Sequence, residues 1–334
     1  MAVVATTGAL VAAAAAGILI GPASLDPGPV LLEVLDRLPL VSVDSGLTTR
    51  EAAIVWELRV PRVALGLLVG AVLAAAGGAY QGVFRNPLAD PYLLGVAAGA
   101  GFGATIAIVS AGSTAALVPI AAFAGALGAV ALTYALGGVG GGGRTGATLL
   151  LAGVAVAAFF TAAQTFLQQQ NADTVRQVFA WILGRLSTAG WSEVRLLLPY
   201  AVLSIAVVLL HRRLLDVLAV GEEEAESLGV RASRVRLVVV LAATIGTAAA
   251  VAVSGLIGFV GIVVPHTIRL LWGSSYRVII PISALAGAAF LVLADLVART
   301  VLSPAEIPIG VVTAFVGGPF FAVVLRRSSR GWAL

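Results

Sequence analysis

The chain has 334 residues, of which 60% are hydrophobic and only 11% are charged. This composition lies far outside that of soluble globular proteins and predicts an integral membrane protein. The chain contains no Cys, which excludes disulfides, thiolate metal sites and thiol nucleophiles. The formal net charge is +4, and the cationic residues are scattered between apolar segments without interleaved aromatic residues. We therefore expect membrane anchors and no nucleic-acid surface.

All the cationic side chains are arginines, and the absence of lysine bears on mechanism. A phosphate-binding P-loop needs a Lys that reaches the β- and γ-phosphates. The Gly-rich run at 137–143 is therefore interpreted as a connector. We expect no cofactor in this chain and no enzymatic activity of its own. If ATP drives the protein, ATP and Mg²⁺ bind to a separate ATPase subunit.

Apolar runs long enough to cross a bilayer follow one another along the chain. Ten of them lie near residues 3–20, 60–82, 92–110, 114–136, 147–167, 194–210, 236–254, 255–272, 277–299 and 308–325. The first run lacks a charged segment before it and a convincing cleavage boundary, so we expect a retained span rather than a cleaved signal peptide. The predicted fold is an all-α integral membrane protein with about ten spans, in one transmembrane domain over 1–334.

Arginine asymmetry predicts how these spans are oriented. An even number of spans places both termini on one side of the membrane. With the termini inside, the inner segments carry twelve arginines and the outer segments eight. The positive-inside rule therefore favours a multi-pass protein of the cell membrane with both termini cytoplasmic. In the outer segment 168–193 the apolar spacing predicts a short helix on the outer face, with Trp181 and Trp191 at the interface.

Two of the connections between predicted spans contain polar residues that are candidates for function. Between the second and third spans the chain turns through Arg85-Asn-Pro-Leu-Ala-Asp-Pro91, where the two prolines prevent a continuous helix. The longest inner connection, 211–236, contains the acidic run Gly221-Glu-Glu-Glu-Ala-Glu-Ser-Leu-Gly229, which predicts a short helix closed by Gly229. These carboxylates could serve only to solvate the loop, but their position between arginine clusters favours a docking element.

Several motifs occur in a fixed order over nearly the whole chain. They are Arg59-x-Pro-Arg62, Gln81, Asn86-Pro-Leu-Ala-Asp-Pro91, Leu151-Ala-Gly153, Ala225-x-x-Leu-Gly229, Gly255-Leu-Ile-Gly-Phe-Val-Gly, Asp295-x-x-x-Arg299 and Glu306-Ile-Pro-Ile-Gly310. In this order they resemble the permease subunits of ABC importers for ferric siderophores, haem and cobalamin. The resemblance implies a permease dimer, formed with a second copy or a close paralogue, around a central translocation pathway. It also implies two cytoplasmic ATPase subunits and an extracytoplasmic substrate-binding protein as partners.

The resemblance further implies roles for individual residues. Those that match the positions meeting acidic lobes of the binding protein are Arg59, Arg62 and Arg299. The region that matches the cytoplasmic coupling helix is 219–230, with Glu222, Glu223, Glu224, Glu226, Leu228 and Gly229. The positions that match the cytoplasmic gate are Asn86, Leu88, Thr145 and Thr148. As an alternative, Arg59 and Arg62 could be anchors that snorkel to the membrane edge.

The remaining polar residues predict little further chemistry. Asp295 and Arg299 are four residues apart on one helix face, so they are candidates for a structural ion pair. His211 and His266 lie far apart in the sequence, and with no Cys we expect no metal or haem ligation.

Two other function classes are alternatives to the importer permease. An ion-coupled secondary transporter would need an intramembrane ionisable site, for which Asp295 is the strongest candidate. A membrane-embedded enzyme lacks any convergent set of catalytic side chains. For the cargo we favour a ferric siderophore or haem, with cobalamin as the alternative.

Overall fold

The computed structural model describes residues 2–37, 43–111, 117–138 and 146–331, and within these ranges it contains helices and no strand. The long helices are α1 (Ala2–Leu19), α4 (Val60–Val83), α5 (Val96–Ala111), α6 (Leu117–Leu136), α7 (Gly146–Gln170), α9 (Trp191–Val220), α11 (Ala232–Ser254), α12 (Val260–Trp272), α13 (Tyr276–Thr300) and α14 (Ile309–Gly331). The short helices are α2 (Pro27–Asp36), α3 (Thr49–Ala53), α8 (Val175–Ile182) and α10 (Glu222–Ser227). A π-helical turn (Ile54–Arg59) joins α3 to α4, and single 3₁₀ turns lie at Pro91–Leu94 and Ala172–Thr174.

Within the described residues, seven helical segments are long and apolar enough to cross a membrane. They are α1, the continuous helix 49–83, α6, α7, α9, α11 and α13. Helices α5 and α12, and the apolar part of α14 over 309–324, are shorter. Every apolar run predicted from the sequence overlaps one of these helices. The all-helical fold is thus confirmed, whereas membrane crossing by the three shorter helices stays a prediction.

The run predicted at 255–272 differs most from the structure. Gly255 and Phe259 have positive φ angles of 70° and 68°, so the chain is not helical between them. Helix α12 therefore begins only at Val260 and has 13 residues. At 1.5 Å per residue it is about 20 Å long, which is less than the ~30 Å of a bilayer core. Non-helical backbone within a membrane must be surrounded by protein. The hydroxyl of Tyr92 supplies one such contact by bonding the main chain of Ile257.

The centre of the bundle is formed by α4, α11 and α13, which are the most buried of the spanning helices. Glycines let their backbones approach closely. A Cβ on Gly70 of α4 would overlap the carbonyl of Gly287 in α13, and a Cβ on Gly77 would overlap the backbone of Gly261 in α12. Close packing through small residues is the usual way in which membrane helices associate.

Helix α9 relates the two ends of the bundle to each other. Its 30 residues span about 45 Å. At its start, the indole of Trp191 donates to the carbonyl of Trp56 in the π-helical turn. Near its end, the carboxylate of Asp216 accepts from the Tyr276 amide at the start of α13. We call the first side the Arg62 end and the second the Glu222 end, after the candidate residues described below.

The segment after α7 behaves as the sequence predicts in one respect. Helix α8 is short and amphipathic, with Val178 buried and Phe179 exposed. Trp181, however, is 5% exposed and packs inside the protein instead of lying at an interface. The backbone here also packs closely, since a Cβ on Gly255 would overlap the Trp181 carbonyl.

Candidate functional site

At the Arg62 end, one arginine joins two acidic residues that lie far away in the sequence. The guanidinium of Arg62 donates to both carboxylate oxygens of Asp295 at 2.8–3.0 Å. It also donates to both oxygens of Glu306 at 2.7 and 3.0 Å. A guanidinium held in a bidentate manner by carboxylates is a strong charge-assisted contact. This cluster connects α4, α13 and the connection that precedes α14.

Two further arginines at this end bind main-chain carbonyls. Arg59 donates to Ile18 and Leu19 at 2.9 Å and also to Ala23. Arg299 donates to Gly17. Both side chains are buried, being 4% and 2% exposed. Because the last carbonyls of a helix have no partner within it, these guanidinium groups act as a C-terminal cap for α1.

The predicted ion pair between Asp295 and Arg299 is present, but at a distance of 3.6 Å it is longer than a hydrogen bond. Asp295 lies closer to Arg62, at 2.8 Å. Sequence reasoning missed this arrangement because it grouped Arg62 with the docking residues. The motif that begins at Glu306 was the one signal in the sequence for Glu306 as the third member of the cluster with Arg62 and Asp295.

These contacts bear on the docking role expected for Arg59, Arg62 and Arg299. The guanidinium groups of Arg59 and Arg299 are engaged inside the chain, and the side chain of Arg62 is 13% exposed. Docking of a binding protein on these arginines stays a prediction.

At the Glu222 end, the acidic run forms the short helix that the sequence predicts. Helix α10 ends in a Schellman motif, in which the Val230 amide bonds the Ala225 carbonyl and the Gly229 amide bonds the Glu226 carbonyl. Gly229 has a φ of 77°, which a residue with a side chain adopts only with strain.

The orientation of α10 leaves a protruding surface. Ala225 is fully buried under the helix, whereas Leu228 is 71% exposed. The other exposed members of this surface are Glu223, Glu224, Glu226 and Gly229. Glu222 pairs with Arg236, which ties the start of α10 to α11. An exposed Leu beside carboxylates at a rigid helix end suits contact with another protein, and the coupling role stays a prediction.

The turn between α4 and α5 contains two of the predicted gate residues. Arg85 has a positive φ of 49°, and the Asn86 side chain then accepts from the Leu88 amide at 2.9 Å. The Asp90 side chain caps the following 3₁₀ turn by accepting from Tyr92 at 2.8 Å. Asn86 and Leu88 are partly exposed. The turn is thus a rigid, side-chain-bonded structure.

Helix α7 packs against this same turn. A Cβ on Gly146, at the start of α7, would lie 3.3 Å from the ring of Phe84. A Cβ on Gly153 would overlap the Leu93 carbonyl. Thr148 is exposed on the first turns of α7, and Thr145 lies outside the described residues. The two chain segments predicted to form a gate are therefore neighbours, and their gating function stays a prediction.

An apolar cavity of about 500 Å³ opens between the end of α8, the non-helical segment 255–259 and α14. Its lining consists of Ile182, Leu183, Leu256, Gly258, Phe259, Gly310, Val311, Ala314, Phe315 and Pro319. Phe259 has a positive φ angle, and its ring packs against Gly317. A Cβ on Gly317 would overlap this ring. This cavity lacks charged lining residues, so it can accommodate an apolar body without binding it through ions.

No group of three or more His, Cys, Asp or Glu side chains suitable for a metal ion occurs in the described part of the chain. His266 packs edge-on against Phe320, with ring centroids 5.8 Å apart. His211 lies on α9 and bonds the Val207 carbonyl at 2.8 Å through Nδ1. The two imidazoles thus sit in separate environments.

With the fold and these surfaces established, comparison with known proteins identifies the family. Residues 9–327 match the model of the FecCD transport family. The chain belongs to the FecCD transport family. The organisation of the chain as a multi-pass, all-helical permease is therefore that of an ABC transporter subunit.

Members of the FecCD family with assigned cargoes resemble the chain closely. It is 44% identical over 281 residues to the cobalamin import system permease protein BtuC of Halobacterium salinarum, covering 84% of this chain and 75% of that protein. It is 41% identical over 284 residues to the hemin transport system permease protein HmuU of Yersinia pestis, covering 82% and 83%. A solved structure described as an inward-facing conformation of a "metal-chelate type ABC transporter" has a TM-score of 0.83 and 29% identity, covering 97% of this chain and 98% of that one.

Proposed function

We propose that the chain is the transmembrane permease of an ATP-driven importer that moves an iron chelate, either a ferric siderophore or haem, into the cell. The proposed assembly contains a second permease copy or paralogue, two cytoplasmic ATPase subunits and an extracytoplasmic binding protein in a lipid bilayer. The match to the FecCD family over residues 9–327 carries this proposal. Permease relatives of about 40% identity include proteins named for iron(3+)-hydroxamate and hemin.

The surroundings of the acidic side chains favour transport driven by ATP over transport coupled to an ion gradient. Ion-coupled carriers use an ionisable group that gains and loses its ion within the membrane. The strongest acid candidate, Asp295, is bound by Arg62 and lies beside Arg299. Asp295 is therefore engaged by cations of the chain itself and is not positioned as a free ion-binding carboxylate. By contrast, the exposed helix α10 offers a surface on which an ATPase subunit can act.

The two ends of the bundle offer separate surfaces for the proposed ATPase subunits and the proposed binding protein. Arg59 caps the end of α1, so α1 ends at the Arg62 end. Helix α14 starts at the same end, where the amide of Gly310 bonds the carbonyl of Leu183. Both helices consequently extend from there toward the Glu222 end. In the proposed orientation the Glu222 end is cytoplasmic, with both termini, and the Arg62 end meets the binding protein.

Reconstitution tests this proposal. The permease is purified with its ATPase subunit and placed in liposomes with the binding protein loaded with a radiolabelled ferric siderophore or haem. We expect uptake that requires ATP hydrolysis and that a protonophore leaves unchanged. Uptake without an ATPase subunit, abolished by the protonophore, would support the ion-coupled transporter instead.

Cobalamin is the second candidate cargo, because the Halobacterium relative named for cobalamin import is 44% identical to this chain. The same liposomes distinguish the cargoes if uptake of each labelled compound is measured with an excess of the other two. Uptake of labelled cobalamin that neither iron compound reduces would establish the alternative.

A further inference from the structure

The two carboxylates that bind Arg62 differ in their surroundings. The side chain of Asp295 is 4% exposed and sits on the helical backbone of α13, with Arg299 as a second cation at 3.6 Å. The side chain of Glu306 is 31% exposed and belongs to the non-helical connection 301–308. Breaking a buried pair leaves an uncompensated charge, whereas opening a partly exposed pair lets water replace the partner. Glu306 is therefore the carboxylate that can leave Arg62.

Space for such an opening exists on both sides of the pair. A cavity of about 230 Å³ lies toward Gly184 and Ile309, and another of about 270 Å³ lies toward Pro22 and Leu58. Arg62 and Glu306 line both cavities. Water can thus reach the carboxylate without a rearrangement of the bundle.

Glu306 restrains the start of α14. Besides its ion pair, the connection is held by the Ile307 amide, which bonds the Ala298 carbonyl at 2.9 Å, and by the Gly310 amide, which bonds the Leu183 carbonyl at 3.1 Å. These amides lie one and four residues after Glu306. The ion pair of Glu306 and these two hydrogen bonds thus act on the same short segment.

The same residues form one wall of the apolar cavity. Gly310 and Val311 of α14 line it together with Leu183 and Phe259. A shift of the connection would therefore move this wall relative to α8 and the non-helical segment 255–259. No corresponding restraint is imposed by Asp295, which lies on α13 outside the cavity lining.

We propose that Glu306 is a positioning residue, whose openable ion pair with Arg62 holds the first turn of α14 against the bundle and sets the width of the apolar cavity. That this cavity belongs to the cargo pathway rests on the proposed function. The restraint itself rests on the contacts of Glu306 and is independent of cargo and partners.

Hydrogen–deuterium exchange of the purified permease in lipid nanodiscs tests the restraint. In Glu306→Gln we expect the Ile307 and Gly310 amides to exchange about tenfold faster, since one charged contact contributes on the order of a factor of ten to a local equilibrium. Glu57→Gln is the matched control, because Glu57 is an exposed carboxylate on the neighbouring π-helical turn. Unchanged exchange in Glu306→Gln, or an equal rise in Glu57→Gln, would overturn the proposal.

Salt distinguishes an ion pair from simple packing. Because screening weakens partly exposed pairs, high salt should accelerate exchange of these two amides in the parent protein and have little effect in Glu306→Gln. Exchange that is insensitive to salt in the parent would contradict the proposal. If Glu306→Gln fails to fold, Glu306→Asp keeps the charge but shortens the side chain, and an exchange rate equal to that of the parent would likewise contradict it.

The cavity wall is tested with a single thiol, since the chain has no Cys of its own. In Val311→Cys, we expect the rate of alkylation by a water-soluble maleimide to change at least severalfold when Glu306→Gln is added. An unchanged rate would refute control of the cavity by Glu306. If exchange and labelling change as expected but the assembled parent importer takes up no labelled cargo, only the proposed function is rejected.

Discussion

Arg62 and Asp295 are 233 residues apart in the sequence, yet they form a bidentate ion pair with three hydrogen bonds of 2.8–3.0 Å. The pair joins α4 to α13, the two helices that also meet through Gly70 and Gly287. One end of this helix pair is thus fixed by charge, and its middle is fixed by backbone contact.

Asp295→Asn should destabilise the protein strongly. The variant leaves the buried Arg299 without a carboxylate and removes the fixed partner of Arg62, for an expected cost of about 3–5 kcal/mol. The measurement is thermal unfolding of the purified protein in detergent. Asp173→Asn, at an exposed position, should melt like the parent. Equal melting temperatures for the two variants would show that the pair contributes little.

Gly70→Ala should disrupt the contact between α4 and α13. A Cβ there would overlap the Gly287 carbonyl, so the helices must separate and lose packing along their length. We expect less folded protein in the membrane and a lower melting temperature. Gly128→Ala in α6 is the control, because nothing lies within 4 Å of its Cβ position. A Gly70→Ala protein as stable as this control would contradict the packing described here.

Substitutions of Arg59 separate capping from docking. Arg59→Lys keeps the positive charge but loses the planar group that reaches Ile18, Leu19 and Ala23 together. If capping of α1 is the main role, Arg59→Lys and Arg59→Gln should both accelerate proteolysis of the segment after α1.

Docking kinetics complete this comparison. If Arg59 acts by charge on the binding protein, Arg59→Lys should retain the association rate at low salt and Arg59→Gln should lower it. Stable α1 in both variants, together with that difference in rate, would assign Arg59 to docking instead.

Gly229→Ala should impair coupling to the ATPase. At a φ of 77° the new side chain costs roughly 1–2 kcal/mol of backbone strain, which opposes the Schellman motif that ends α10. We expect weaker co-purification of the ATPase subunit and less ATP-dependent uptake.

Gly46→Ala is the matched control for this variant. Gly46 also has a positive φ, of 68°, and open space around its Cβ position, but it lies in the loop before α3. It should carry similar strain and leave ATPase binding intact. Equal loss of ATPase binding in both variants would remove the coupling role from α10.

The sequence by itself determined where most helices lie and how several of them end. Helical hydrogen bonds are local, and in a membrane the backbone must satisfy them within each span, so apolar length is a reliable guide. Pro87 and Pro91 predicted the turn after α4, and Gly229 predicted the end of α10, because each imposes a backbone conformation on its own neighbourhood. The order of motifs likewise indicated the family.

Only the tertiary structure decided which side chains meet. Arg62 binds Glu306 across 244 residues, and Arg59 binds the end of α1, whereas the family resemblance implied a docking role for both arginines. It also decided that α12 begins at Val260, since the backbone at Ile257 is bonded by Tyr92 from another part of the chain. The physical reason is that a guanidinium or an unwound backbone takes its partners from whichever helices pack beside it. That choice depends on close contacts such as the one between Gly70 and Gly287, which are not written into either helix separately.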